Sequence, residues 1–325
     1  MGEKTEFSMP RRTSRLPTSL LSVAALFLLL FGCGGDDGIT EPEGSSFVTF
    51  SFDGLEPMGG GLNYQAWVIY ESGNTTVGFP LILFNINGDG QMVHPLNDTI
   101  LSGPFHADVD AVDALGIAIS LEVTNVLVQV SSFTFILSGE VVQGTVNLSA
   151  EDFFALDRDF SNAAGEYILA TPTDDTPDNE LSGIWFMDPV ADPIEPGLAL
   201  PEAPKGWIYE GWIETDDDSL STGKFVWVNE PDSTSVYSSG LNEAPEYPGE
   251  DFVVNEPQHV DFPLDLSGAT VFISIEPWNE WDVFMNDPFY LRILEAQVPA
   301  DATPMTLYPM TSLASQLPSG TATIQ

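Results

Sequence analysis

The sequence predicts an all-β protein built as two tandem antiparallel β-sandwiches, and three observations carry that prediction. Apolar residues recur at every second position in short runs, as in Val48, Phe50 and Phe52 or in Val271, Ile273 and Ile275. Turn signals separate these runs: Asn87-Gly88-Asp89-Gly90, Ser138-Gly139, Pro248-Gly249 and Ser267-Gly268. Finally, one pattern of residues is written twice along the chain.

The chain opens on a different physical pattern. Arg11, Arg12 and Arg15 form a basic segment, followed by an apolar run from Leu20 to Phe31 broken only by Ser22. That run is shorter than the about 20 apolar residues a membrane-spanning helix needs, and it has the flanks of a secretory signal. It ends in Leu30-Phe31-Gly32-Cys33, and Cys33 is the only cysteine of the 325 residues. Residues 1–32 therefore read as a signal peptide. Residues 33–45, rich in Gly, Asp and Glu, read as a flexible tether with nothing to bury. The two sandwich repeats follow as residues 46–160 and 161–325, a size that suits about two domains.

Hydrophobic residues make up 43% of the chain, enough for packed cores, and 25 prolines with 28 glycines indicate many turns. A lone cysteine excludes an internal disulfide, so packing must supply the stability. The formal charge is −41, with 49 acidic and 8 basic residues. Four of those bases lie within residues 1–32, leaving Arg158, Lys205, Lys224 and Arg292 beyond it. Such a field repels phosphate backbones and excludes nucleic acid as a partner. Two uses of the acidity stay open: solubility in a salty medium, or binding of divalent cations.

The doubled pattern runs as follows. Tyr64-Gln65-Ala66-Trp67 is answered by Tyr209-Glu210-Gly211-Trp212, and Gly78 by Gly223, all at an offset of 145 residues. Gly61 then falls on Gly206 and Leu55 on Leu200. Ile119-Ser120-Leu121-Glu122 is answered by Ile273-Ser274-Ile275-Glu276 at an offset of 154, as an inserted loop would cause. Phe133 falls on Phe289. Strands are expected at Val48–Phe52, Tyr64–Ile69, Ile117–Val123, Val126–Val130 and Val271–Ile275. One short helix is expected after Ser149, which would cap it ahead of Phe153, Phe154 and Leu156. Many short strands with regular turns indicate sandwiches or barrels, and the fold expected is a pair of immunoglobulin-like sandwiches.

Two resemblances arise from these residues. Leu30-Phe31-Gly32-Cys33 resembles the lipobox of bacterial lipoproteins, which implies cleavage before Cys33 and acylation of it. The resemblance implies a lipid-anchored protein of the bacterial cell envelope whose partner is the membrane; Gly34, where an aspartate would retain it at the inner membrane, favours the outer membrane. The series Tyr-Gln/Glu-x-Trp followed by a late Glu276-Pro277 resembles the extracytoplasmic C-terminal domain of the anti-sigma-K factor family. The first copy has Glu122-Val123 in place of Glu-Pro. Members that restrain a sigma factor carry a cytoplasmic helical domain and a membrane span; the sequence shows neither, so that function does not follow.

Candidate sites are few. His94, His106 and His259 are isolated in sequence, and no nucleophile elbow, phosphate loop or dinucleotide fingerprint is present. The sequence calls for no cofactor and for no enzyme. Asn85, Asn87 and Asp89 with Gly90 match the first half of a calcium loop, but Leu96 stands where a glutamate is needed; the other reading is a tight hairpin turn. Trp278, Trp281 and Phe284 beside acidic residues could stack on a sugar or grip a protein, or could cap a sandwich end. The expected function is that of a non-catalytic envelope lipoprotein with an interaction, sensing or structural role, its partner an envelope protein or a glycan. The alternative is a carbohydrate- or calcium-binding surface lipoprotein.

Overall fold

The computed structural model describes residues 44–72, 75–124, 126–129, 131–132, 134–215, 218–278 and 287–325. The signal segment, Cys33, most of the tether, Phe133, Trp281 and Phe284 lie outside these residues. Among the described residues there is no α-helix, only strands and two 3₁₀ turns at Ala111–Asp113 and Ala314–Gln316. The protein is all-β and its sheets are antiparallel.

Eight strands come first: β1 (Ser46–Asp53), β2 (Leu62–Ser72), β3 (Thr75–Ile86), β4 (Met92–Val93), β5 (Phe105–Ala107), β6 (Gly116–Val123), β7 (Phe135–Val142) and β8 (Thr145–Ser149). Then follow β9 (Ala164–Leu169), β10 (Gly183–Trp185), β11 (Met187–Asp188), β12 (Glu195–Pro196), β13 (Leu198–Ala199), β14 (Trp207–Glu214), β15 (Ser219–Phe225) and β16 (Gly249–Asp251). The last four are β17 (Thr270–Pro277), β18 (Arg292–Gln297), β19 (Tyr308–Ser312) and β20 (Ser319–Ile324). The first sheet has the order β4-β3-β2-β6-β7-β8-β20-β1-β5, the second β15-β14-β17-β18-β19-β9-β10-β16.

The duplication is visible as strand register. In the first copy Tyr64 faces Leu121 and Trp67 faces Ala118; in the second Tyr209 faces Ile275 and Trp212 faces Phe272. Both pairs keep the 145- and 154-residue offsets. A bulge precedes each tryptophan, at Ala66/Trp67 and Gly211/Trp212, and another precedes each serine, at Ile119/Ser120 and Ile273/Ser274. Because a one-residue slip would exchange the two faces of a strand, shared register fixes the same residues inward in both copies.

Two of the aligned pairs shift. Gly78 sits opposite Ile69, whereas Gly223 sits opposite Gly211, so the counterpart of Gly223 is Ile82. The β14–β15 hairpin is shorter, which displaces the match. Glycine at 223 has a local cause: its φ is +121°, and a Cβ would run into the carboxyl of Asp232. Likewise Phe289 corresponds to Ser132 rather than Phe133, since both donate their N–H to the glutamate of their copy.

Three other expectations differ from the structure. Residues 126–129 form an irregular loop, because the main chain of Val128 is bonded by the side chain of Gln65 rather than by a strand. Ser138-Gly139 lies inside β7; the glycine is needed where the carbonyl of Asn147 presses on it, not for a turn. Ser149 accepts a bond from the N–H of Glu151, but the segment after it makes only turns, with Asp152 taken by the hydroxyl of Ser138.

The C-terminal strand departs most from a simple tandem. β20, expected in the second repeat, lies between β8 and β1 of the first sheet, bonded along both edges. Phe47 and Gln325 exchange N–H···O bonds of 2.8 and 2.9 Å. The main buried apolar cluster is continuous across both sheets, from Val48, Tyr64 and Ile119 to Tyr209, Ile273 and Leu294. The tyrosines at 64 and 290 also bond across the copies, O···O 3.1 Å.

Candidate functional site

The signature residues of both copies have matching structural roles. Tyr64 donates its hydroxyl to the carbonyl of Glu56, and Tyr209 to that of Pro201, each at 2.9 Å and each eight residues back. Each ring stacks on a phenylalanine of the next strand, Phe84 or Phe225. On the opposite face runs a buried relay. The indole N–H of Trp67 donates to Ser120 (2.8 Å), whose hydroxyl donates to Glu122 (2.5 Å), and both carboxylate oxygens accept the N–H of Ser132 (3.0 and 3.1 Å). In the second copy Trp212 donates to Ser274 (3.0 Å), Ser274 to Glu276, and the N–H of Phe289 to both oxygens of Glu276 (3.0 and 3.2 Å). Burial raises the pKa of Glu122 and pushes that of Glu276 up to about 7. The relay fixes the loop after the strand; Pro277 ends that strand half-buried.

The calcium-loop residues are engaged as a hairpin. Asn85 accepts the N–H of Met58 and of Ile86 and donates to Met58 and to Asn63. Asn87 accepts the N–H of Asp89 (3.0 Å) and of Gln91 (2.9 Å), an Asx turn between β3 and β4. Among the described residues no group of three or more His, Asp or Glu side chains is placed to hold a metal. Trp278 is exposed over 57% of its surface, and its main-chain N–H donates to the carbonyl of Gly206. Its partners in the expected aromatic patch, Trp281 and Phe284, lie outside the described residues.

The two copies part company on the outer faces of their sheets. In the first, Trp67, Ile69, Ala118 and Phe135 form a small apolar cluster covered by Leu115, Val128 and Phe154. Gln65 holds that cover by bonding both the N–H and the carbonyl of Val128 (2.9 and 2.8 Å). In the second copy the position of Gln65 is taken by Glu210. Its carboxylate accepts the hydroxyl of Ser221 (2.6 Å) and lies 3.6 Å from the ammonium of Lys224. Phe272, beside Trp212, carries the guanidinium of Arg292 at 3.7 Å above its ring, itself paired with Glu214 and Glu295.

A cleft of about 600 Å³ opens along β15 on this side of the second copy. Glu210, Lys224 and Ser221 line one wall, Tyr237 and Glu250 another. Glu250 is buried and accepts the hydroxyl of Ser238 and the N–H groups of Tyr237 (3.3 Å) and Asp251 (3.2 Å). Burial pushes its pKa up to about 7 and that of Asp232, beneath Gly223, up to about 8. The sequence carried one trace of this difference, the exchange of Gln65 for Glu210 inside an otherwise matched tetrad. Asp232 and Tyr237 lie in the connection between β15 and β16, and Glu250 lies in β16, which takes the sheet position of β5 but shares no sequence motif with it, so the repeat could not point to them.

No family model, no curated protein and no solved structure matches this chain.

Proposed function

We propose that this chain is an exported lipoprotein, acylated on Cys33, whose doubled β fold is a non-catalytic interaction module of the bacterial envelope. The outer face of its second copy is the recognition surface. One observation carries the second half of this reading. A single scaffold appears twice in identical register, and one outer face is sealed by an apolar cover while the other holds an open polar cleft. Duplication leaves one copy free to diverge while its sister keeps the architecture, and the exchange of Gln65 for Glu210 is where the cover is lost. The first half rests on the signal pattern ahead of Cys33, and Gly34 supports outer-membrane placement.

Two measurements test it. Metabolic labelling with an alkynyl fatty acid in a bacterial host should mark the wild-type chain and not Cys33→Ser, with mass spectrometry placing the acyl groups on residue 33. Cross-linking in intact envelopes from a photoreactive residue at Ser219, beside the cleft, should capture a partner, whereas one at the exposed Val142 of the first sheet should not. An unmodified thiol at residue 33 removes the lipoprotein; capture only from Val142 removes the recognition face.

A further inference from the structure

We infer that the cleft along β15 binds a neutral saccharide. This deepens the preceding proposal and rests on its assignment of the second copy's outer face. The volume of about 600 Å³ lies in the range of small-ligand sites. Its chemistry narrows the class.

The lining offers both signs of hydrogen-bonding group side by side. Lys224 is a donor only and Glu210 an acceptor only, and they sit 3.6 Å apart at the cleft wall. Glu210 is buried behind Lys224, so the ammonium is the group a ligand reaches; a sugar hydroxyl, which both donates and accepts, can take a bond from it while donating to a neighbouring serine. Ser219 and Ser233 add hydroxyls on either side of it, and the ring of Tyr237 gives a wall for the apolar face of a pyranose.

The same residues disfavour other classes. Phosphorylated or carboxylated ligands would meet Glu210, Glu250 and Asp218 against one lysine. A cationic ligand would have to displace Lys224 from the carboxylate it already occupies. A purely apolar ligand would strip water from this ion pair and from the serine hydroxyls without replacing their bonds. Metal ions lack a ligand set among the described residues. A ligand that is uncharged, rich in hydroxyls and flat on one side remains.

The test uses the full acylated chain in detergent, titrated with neutral oligosaccharides of glucose, galactose, mannose and N-acetylglucosamine. Binding is read by calorimetry, and each variant's thermal unfolding is checked alongside. At least one neutral glycan should bind. Lys224→Met and Tyr237→Ala should each weaken it by about tenfold, as loss of a charged hydrogen bond or a stacking face does. Ser219→Trp, which removes no internal side-chain bond and fills the cleft, should abolish it; Trp278→Ala should leave it unchanged. The inference is overturned if no neutral glycan binds, if only oligolysine binds, or if binding survives Ser219→Trp but is lost in Trp278→Ala. If the cross-link from residue 219 still captures an envelope protein while every glycan fails, the recognition face stands and the saccharide assignment alone falls.

Discussion

Replacing Glu276 by glutamine isolates the energetic cost of a buried carboxylate. Glu276 is 2% exposed, and burial is the largest cause of its raised pKa, with the charge of Glu210 adding to it against the bonds from Ser274 and Phe289. In the unfolded chain the group ionises near 4.5; in the fold it holds its proton to about pH 7. A raised acid pKa means that the native state binds the proton more tightly. Its stabilising effect is therefore full below pH 4.5 and is lost progressively as pH rises to 7. At 1.36 kcal/mol per pKa unit this amounts to about 3 kcal/mol. Glutamine mimics the protonated acid, since it accepts from the N–H of Phe289 and donates towards Ser274, and it does not titrate. Glu276→Gln should therefore match the wild type at pH 4 and exceed it at pH 8 by about 3 kcal/mol, roughly 6–12 °C in Tm. The difference between variant and wild type, followed by calorimetry from pH 4 to 8, cancels the general effect of the acidic surface. A difference that does not change with pH would refute the account. Glu250 and Asp232, with pKa values of about 7 and about 8, act in the same direction, so the wild type should melt higher at pH 5 than at pH 8.

Tyr209→Phe should cost about 1 kcal/mol in urea unfolding, the worth of one hydroxyl-to-carbonyl bond, and Tyr64→Phe more, because it also severs the bond to Tyr290; equal losses would argue against a tie between the copies. Removal of residues 319–325 withdraws a strand bonded on both edges, and limited proteolysis should then cut in β1 and β8; an unchanged digestion pattern would show the first sheet to be complete without it. Asn87→Ala should destabilise by about 1 kcal/mol through the lost Asx turn, and millimolar calcium should leave the melting temperature of wild type and variant alike unmoved; a calcium-dependent rise would restore the cation reading of this loop. Gly139→Ala should be poorly soluble, since the new methyl group meets the carbonyl of Asn147.

Much of the β architecture was legible because period-two alternation and the doubled tetrad are local patterns. That β14 meets β17 in the same register in which β2 meets β6 agrees with the two offsets. What escaped the sequence was set by contacts between distant segments. Val126, Val128 and Val130 alternate in sequence as a strand does, yet the side chain of Gln65 takes both main-chain bonds of Val128. Ser138-Gly139 has the composition of a turn but serves close packing between β7 and β8. The place of β20 could not be read at all, since Ser319–Ile324 carries only two buried side chains and its partners lie some 170 and 270 residues away. The cleft was legible at Glu210 alone; Asp232 and Tyr237 reach it from the connection after β15, and Glu250 from the edge strand β16, whose sequence does not repeat that of β5.

The clasp between Phe47 and Gln325 brings the two ends of the folded body to one spot. Under the proposed acylation of Cys33, residues 34–46 would reach at most about 45 Å, so that spot, and anything fused after residue 325, would stay within that distance of the lipid. A reporter fused there would then test that proximity to the membrane. Because the ends already touch, a short linker between them should close the polypeptide into a ring. New termini could then be opened on the exposed stretch around residues 241–245, giving a circular permutant that keeps every strand neighbour.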